Sequence, residues 1–279
     1  MDNIITQEHI DAYCLSLLTD ERAVGTIQKY RRDLAAFARW IGGTAVTKET
    51  AARWKTHLLE RGYKPETINS KLSAINGFFT YMNWAIHVKF LKIQRQLFRD
   101  PARELTREEY TRLLTTAREN GQVRLALIME TLCATGIRIS ELRYITVEAA
   151  KDGRATISLK GKIRTILLPT KLYRKLQKYA RKQKIASGAI FRTKSGKPIS
   201  RRQVWYELKR LCRAAGVEPG KVFPHNLRHL FATTFYRACK DIARLADVLG
   251  HSSIETTRIY LAVSGAEQAR QLDKLRLVS

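Results

Sequence analysis

Apolar residues return every three or four positions along most of this chain, and only short stretches alternate. Val24, Ile27, Tyr30, Leu34, Phe37, Ala38 and Ile41 form one such stripe, closed by Gly42-Gly43, which reads as an amphipathic helix with a glycine stop. Ile68, Leu72, Ile75, Phe78, Phe79 and Met82 repeat the stripe behind Pro65, a residue suited to a first helical turn. Two further helices are expected over residues 6–18 and 48–60. Four short amphipathic helices within about ninety residues make one small bundle.

The periodicity weakens between Lys89 and Arg103, where Lys92-Ile93-Gln94-Arg95-Gln96 is polar and basic and Pro101 closes the stretch. The pattern resumes at Thr106-Arg107-Glu108-Glu109, in which the threonine hydroxyl and the last carboxylate can satisfy exposed amides at a helix start. A buried helix is expected over 123–135. Two short strands, 156–159 and 165–168, flank the basic run Lys160-Gly161-Lys162-Ile163-Arg164 and predict a β-hairpin with a cationic turn. Helices are expected again over 170–182, 201–214, 225–238 and 242–249, and a last one over 266–277, where Ala266, Ala269, Leu272, Leu275 and Val278 line one face. The fold class is mainly α: an N-terminal four-helix bundle, residues 1–90; a linker, 91–103; and a second, mainly helical domain with a small hairpin, 104–279.

Charge narrows the function. The 279 residues carry 51 Lys+Arg against 25 Asp+Glu, a formal net charge of +26, which calls for an anionic partner. Nucleic acid is the first candidate and an anionic membrane surface the second. The first hundred residues hold 15 basic and 10 acidic side chains, so the excess sits in the second part. A hydrophobic content of 44% excludes a mainly disordered chain. No run of apolar residues is long enough to span a bilayer, and the first nine residues carry acids and amides instead of a basic region followed by an apolar one. A soluble, cytoplasmic protein is expected. Cys14, Cys133, Cys212 and Cys239 lie far apart without a C-x-x-C pair, so they are expected to be buried thiols, not a zinc ribbon or disulfide framework.

Several residues could carry chemistry, though each alone has an ordinary explanation. Gly136 ends an apolar helix and projects Arg138 at the start of the next, where a planar donor fork and a helix dipole would suit a phosphate; alone, Arg138 would simply pair with Glu141. His225 and Arg228 stand three apart behind Pro224 and can face one ligand. His225 and His229 have the spacing of a metal pair, but the glutamate of H-E-x-x-H is absent and no acid or cysteine cluster is close in sequence. Buried, hydrogen-bonded histidines are the ordinary alternative. His251 follows Gly250 on a turn, and Tyr260 comes nine residues later, an amphipathic core residue if taken by itself.

Together, Arg138-x-x-Glu141 after a glycine turn, a basic hairpin, His225-x-x-Arg228-His229, Leu249-Gly250-His251 and Tyr260 resemble the tyrosine recombinases, also called integrases of the lambda type. Separated signatures agree in order and spacing over some 120 residues, the second domain is covered fully, and the compact length looks most like Xer-type recombinases and short mobile-element integrases. The resemblance implies a core-binding (SAM-like) N-terminal domain and a C-shaped clamp on DNA. It also implies that Arg138 and Arg228 are the catalytic arginines, His225 opens the H-x-x-R box, His251 occupies a position held by His or Trp, and Tyr260 is the nucleophile. Lys160 matches the hairpin lysine of the family's G-K-G turn; here the leading glycine is missing, so Lys162 is its competitor as general acid. Glu141 matches an acidic family position with a supporting role.

The resemblance further implies a site-specific recombinase that forms a 3′-phosphotyrosyl intermediate and passes through a Holliday junction in a tetramer linked by exchange of the C-terminal helix. Its partners are double-stranded DNA with paired recombination sites and its own copies, with no membrane. No cofactor, neither metal nor ATP, is expected, because two arginines supply the charge that metal ions supply elsewhere. The helix opening at Ser200 offers Arg201, Arg202 and Gln203 for DNA contact, and the hairpin offers Lys162. Strand relaxation of the type IB topoisomerase kind and a non-catalytic basic DNA binder are the alternatives. The need for a directionality factor, and the target sequence, are open at this point.

Overall fold

The computed structural model describes residues 3–93, 101–159, 162–193, 195–260, 270 and 273–275. Contacts divide the chain into two compact units, Met1–Arg95 and Gln96–Ser279. The architecture is mainly helical with one two-stranded sheet.

The first unit holds α1 (Gln7–Thr19), α2 (Val24–Ile41), α3 (Lys48–Glu60) and α4 (Pro65–Tyr81). Thr6 and Thr47 cap α1 and α3 by accepting from the backbone N–H groups of His9 and Thr50, and Gly42 stops α2 in the left-handed region. Leu34, Phe37, Ile68, Leu72, Phe78 and Phe79 are fully buried at its centre. The chain after α4 is stitched back onto that helix by two asparagines seven residues apart. The Asn76 side chain donates to Val88 O at 2.9 Å and accepts from Val88 N at 2.9 Å; Asn69 treats Leu91 likewise at 2.9 and 2.8 Å. Leu91, expected to begin the linker, is therefore bonded into the first unit.

The second unit is built around α6 (Val123–Thr135), with α5 (Arg107–Glu119), α8 (Thr170–Lys182), α9 (Arg201–Ala215) and α10 (Pro224–Cys239) packed against it. Being covered on several sides, α6 is apolar nearly all round: Leu125 to Met129 and Leu132 are all buried. The capping box at α5 forms, Thr106 accepting from Glu109 N and Glu109 accepting from Thr106 N. Smaller pieces complete the unit: α7 (Val147–Asp152), β1 (Arg154–Leu159), β2 (Lys162–Leu167), α11 (Ile242–Leu249) and α12 (Ile254–Thr257), the last followed by a 3₁₀ turn at Arg258–Tyr260. Among the described residues no helix is long and apolar enough to cross a membrane.

Four expectations change. The hairpin is longer and its turn shorter: β1 and β2 pair from Arg154 with Leu167 to Leu159 with Lys162, so Lys162, Ile163 and Arg164 belong to a strand, where β-branched and alternating side chains fit the pleat. Arg138 precedes a six-residue 3₁₀ turn, Ile139–Tyr144, instead of an α-helix, which removes the expected helix dipole. Residues 147–152 form a helix where none was expected. Cys14 and Cys212 are buried, but Cys133 is half-buried and Cys239, at the end of α10, is exposed. Lys160, Gly161 and most of the expected terminal helix 266–277 lie outside the described residues.

Candidate active site

The site grows from two tight turns that bring distant arginines together. Gly136, at φ 64, ends α6, and a Cβ there would overlap the Phe231 ring of α10 and touch Leu249 of α11. Only glycine permits both the left-handed turn and the approach of α10. Arg138 lies just beyond it. Gly250, at φ 63, ends α11 and turns the chain toward His251.

Arg228, on the first turns of α10, is 2% exposed. Its Nη1 donates to Gly136 O, and its Nη2 donates to Leu249 O at 2.8 Å and to His251 Nε2 at 2.9 Å. Those three acceptors are two carbonyls and an imidazole, none of them anionic. Burial, then the charge of Arg138, loosens the Arg228 proton, while the neighbouring Tyr260 strengthens its hold. A guanidinium only donates, so His251 Nε2 accepts and Nδ1 carries the hydrogen, which it donates to Thr257 Oγ1 at 2.8 Å. Burial and the charges of Arg228, Arg138 and Arg164 push the His251 pKa down to about 4, keeping the ring neutral as this bonding requires.

Glu141 is 2% exposed and binds three donors. Its Oε2 accepts from Arg138 N at 2.7 Å and from Arg164 Nη2 at 2.7 Å; its Oε1 accepts from Arg138 Nη1 at 3.1 Å. The ordinary pairing of Arg138 with Glu141 therefore exists, but it is shared with a second arginine. Arg138 and Arg164 share the Glu141 carboxylate, and Arg228 lies close enough to feel the charge of both, which leaves a surplus of positive charge. His225 is exposed, and desolvation together with Arg228 and Arg138 lowers its pKa, so it too favours the neutral form.

Tyr260 is buried at 3% exposure in a small cluster with Ala232, Leu245 and Leu249. Its ring stacks on His251, centroids 6.1 Å apart and planes 13° apart, and lies 5.1 Å from the His229 ring. Arg138, His225, Arg228, His251, Glu141 and Tyr260 thus share one neighbourhood. His225 and His229 acquire no third ligand: no group of three His, Cys, Asp or Glu suited to a metal occurs among the described residues. Such an arrangement can hold a tetrahedral phosphate anion between guanidinium groups beside a phenol.

The phage integrase family profile matches residues 103–267, and the phage integrase N-terminal SAM-like domain profile matches residues 10–85. The chain belongs to the phage integrase family. Tyrosine recombinase XerA of Pyrococcus furiosus is 28% identical over 287 residues, covering 99% of this chain and 97% of the relative. Tyrosine recombinase XerA of Thermococcus kodakarensis is 30% identical, covering 97% and 96%. The fold is also that of the Tn1549 transposon integrase solved with circular intermediate DNA, at a TM-score of 0.75 and 19% identity, covering 96% of this chain and 99% of that one. This integrase-family chain is a tyrosine recombinase enzyme.

Two residues of the integrase site escape a reading of the sequence. The sequence pattern puts Arg164 in a turn, yet on β2 it shares a face with buried Ile166 and, just beyond the strand, Leu168; an arginine in the inward register of a strand signals a buried carboxylate. Thr257, fully buried, gives no comparable signal. Outside this neighbourhood, Arg201 and Arg202 are exposed on the first turn of α9. Gln203 is instead half-buried and donates to Glu207 at 3.1 Å, and Glu207 is paired with Arg124 at 2.6 Å. Lys162 is placed as the first residue of β2.

Proposed function

We propose that this protein is a site-specific DNA recombinase that cuts and rejoins strands through Tyr260. The observation that carries the reading is a buried Arg228, bonded to no carboxylate among the described residues, beside a phenol stacked on its histidine partner. Attack of the Tyr260 oxygen on a DNA phosphorus builds negative charge on the non-bridging oxygens, and Arg138 and Arg228 offer fixed donors where that charge develops. A new phosphorus–oxygen bond forms to Tyr260 as the bond to the 5′ oxygen breaks, giving a 3′-phosphotyrosyl ester. A phenol ordinarily releases its proton near a pKa of about 10, so a base is needed. His225, held neutral at physiological pH, takes that proton. The departing 5′ oxygen takes one from a hairpin lysine, Lys160 in this reading, with Lys162 as the competitor. His251, itself anchored on Thr257, buttresses Arg228.

The 5′ hydroxyl of another strand reverses the attack, so the ester conserves the broken linkage and neither ATP nor a metal ion is called for. Paired exchanges resolve through a Holliday junction in a tetramer, whose members are linked by the C-terminal segment 266–279. The first unit, through Leu91, is the core-binding domain, a linker runs on to residue 103, and 104–279 is the catalytic domain, acting on DNA in the cytoplasm with Arg201 and Arg202 in contact with it. Tyrosine recombinases XerA and the DNA-bound Tn1549 integrase, similar along nearly the whole chain, support this assignment.

The test begins with DNA recovered from covalent complexes and sequenced. A synthetic duplex of that sequence, nicked near the cleavage point, should trap a protein–DNA adduct that survives denaturing electrophoresis. Tyr260→Phe should abolish the adduct while binding persists; an adduct that survives this substitution overturns the reading.

A further inference from the structure

Arg164 touches two parts of the site at once. Its Nη2 donates to Glu141 Oε2 at 2.7 Å, and Glu141 in turn holds both the backbone and the guanidinium of Arg138. Its Nη1 donates to Val248 O at 3.0 Å, in the last turn of α11, three residues before His251. Between these two contacts the Arg164 side chain crosses the space that a Cβ of Gly250 would fill, so Gly250 is required for this approach as well as for its φ of 63. The backbone of Arg164 belongs to β2, opposite Ile157 and two residues beyond Lys162. With a strand rise of about 3.3 Å per residue, the loop end of the hairpin begins roughly 7 Å away.

We propose that Arg164 is a positioning residue that docks the hairpin onto the phosphate-binding arginines, so that the hairpin lysine meets the leaving oxygen. The proposal rests on the strand-cleavage function proposed for Tyr260. One residue carries the register of the hairpin, the orientation of Arg138 through Glu141, and the end of α11 that sets His251. Mere neutralisation of Glu141 would need only a positive charge, which lysine also supplies. Bridging a carboxylate and a carbonyl on separate elements needs the planar two-armed fork. Proton delivery depends on a group held within hydrogen-bond reach of its acceptor, and a hairpin released from Arg164 loses that reach.

The test compares two nicked duplexes of the recovered target sequence, one ordinary and one with sulfur replacing the bridging 5′ oxygen at the scissile phosphate. A thiolate leaves without a proton, so the sulfur substrate makes no demand on the hairpin lysine. In the full-length protein, Arg164→Ala should slow adduct formation on the oxygen substrate by about a hundredfold, the lower range for a general acid, and by only a few-fold on the sulfur substrate. Arg164→Lys retains the charge beside Glu141 and loses the second arm. It should show the same preference for sulfur with a smaller defect, and it keeps the comparison available if the alanine variant unfolds. Equal slowing on both substrates overturns the proposal, because Arg164 then acts through Arg138 or the fold alone; so does full activity of both variants. An unaltered protein that forms no adduct on either duplex overturns the cleavage reading and this inference with it.

Discussion

Arg228 donates to the Nε2 of His251 at 2.9 Å, and this contact decides which nitrogen of the ring carries the hydrogen. The opposite nitrogen is committed to Thr257 at 2.8 Å, so a second proton would face a guanidinium that has nothing to accept it. Burial, then the charges of Arg228, Arg138 and Arg164, hold the folded pKa at about 4 against the usual 6.5. Between those values the unfolded chain binds the proton and the folded chain resists it, so stability must fall as pH drops from 6.5 to about 4 and level off below. Thermal unfolding across that window should show the decline, and His251→Phe should make it shallower. An unchanged slope in the variant would place the proton sensitivity elsewhere. Above pH 6.5 this group contributes no pH dependence.

Asn76 and Asn69 allow a comparison of the same stitch in dry and wet surroundings. Asn76 and Val88 are buried, whereas the Asn69–Leu91 pair is only partly so. Asn76→Ala leaves the N–H and C=O of Val88 without partners in a dry site and should cost about 2–4 kcal/mol, from two unmet groups. Asn69→Ala exposes its partners to water and should cost about 1 kcal/mol. Urea unfolding of the two variants measures the difference, and equal losses would contradict the assigned burial.

The extent to which the sequence reveals this molecule depends on how far each signal reaches along the chain. Helices such as Lys48–Glu60, Thr170–Lys182 and Ile242–Leu249 declare themselves because successive turns repeat one stripe between recognisable stops. The helix Val147–Asp152 is too short for a period to appear, although Thr146 caps it and Gly153 ends it. Arg138, His225, Arg228, His251 and Tyr260 are findable as separated signatures, but their convergence depends on Gly136 and Gly250, whose neighbours come from distant segments. Arg164 and Thr257 stay hidden because their partners lie at Glu141, Val248 and His251. Gln203 has a nearer partner: it donates to Glu207, one turn further along its own helix.

Glu141 should be indispensable to the fold of the site as well as to its chemistry. Glu141→Ala strands the Arg138 amide and leaves the Arg164 guanidinium facing an empty, buried space. Removing one partner of a buried ion pair costs about 3–5 kcal/mol, and chemical denaturation should show a loss of that order. Glu141→Gln retains one accepting oxygen and should lose less. The alanine variant carries one more positive charge, so nonspecific DNA binding at low salt should persist. Adduct formation should fall at least about tenfold as Arg138 loses its orientation. Retained stability would mean that the three donors find other acceptors.

Gly136 and Gly216 share a backbone conformation and differ in what surrounds them, which separates strain from space. Gly136 sits at φ 64 and Gly216 at φ 59. A methyl group on Gly216 meets nothing within 4 Å, whereas on Gly136 it would overlap the Phe231 ring and press on Leu249. Gly216→Ala should therefore cost only the left-handed penalty, about 1–2 kcal/mol. Gly136→Ala adds overpacking of roughly 1–3 kcal/mol and drives α10 away from α6. Arg228 rides on α10 and donates to the carbonyl of Gly136 itself, so the same shift must disturb the cation beside Tyr260. Unfolding measurements should rank Gly136→Ala well below Gly216→Ala in stability. Adduct assays at a temperature where both remain folded should find activity lost in the first and kept in the second. Equal stability of the two variants would show that Phe231 yields without cost and that the packing of α10 against this turn does not hold Arg228 in place.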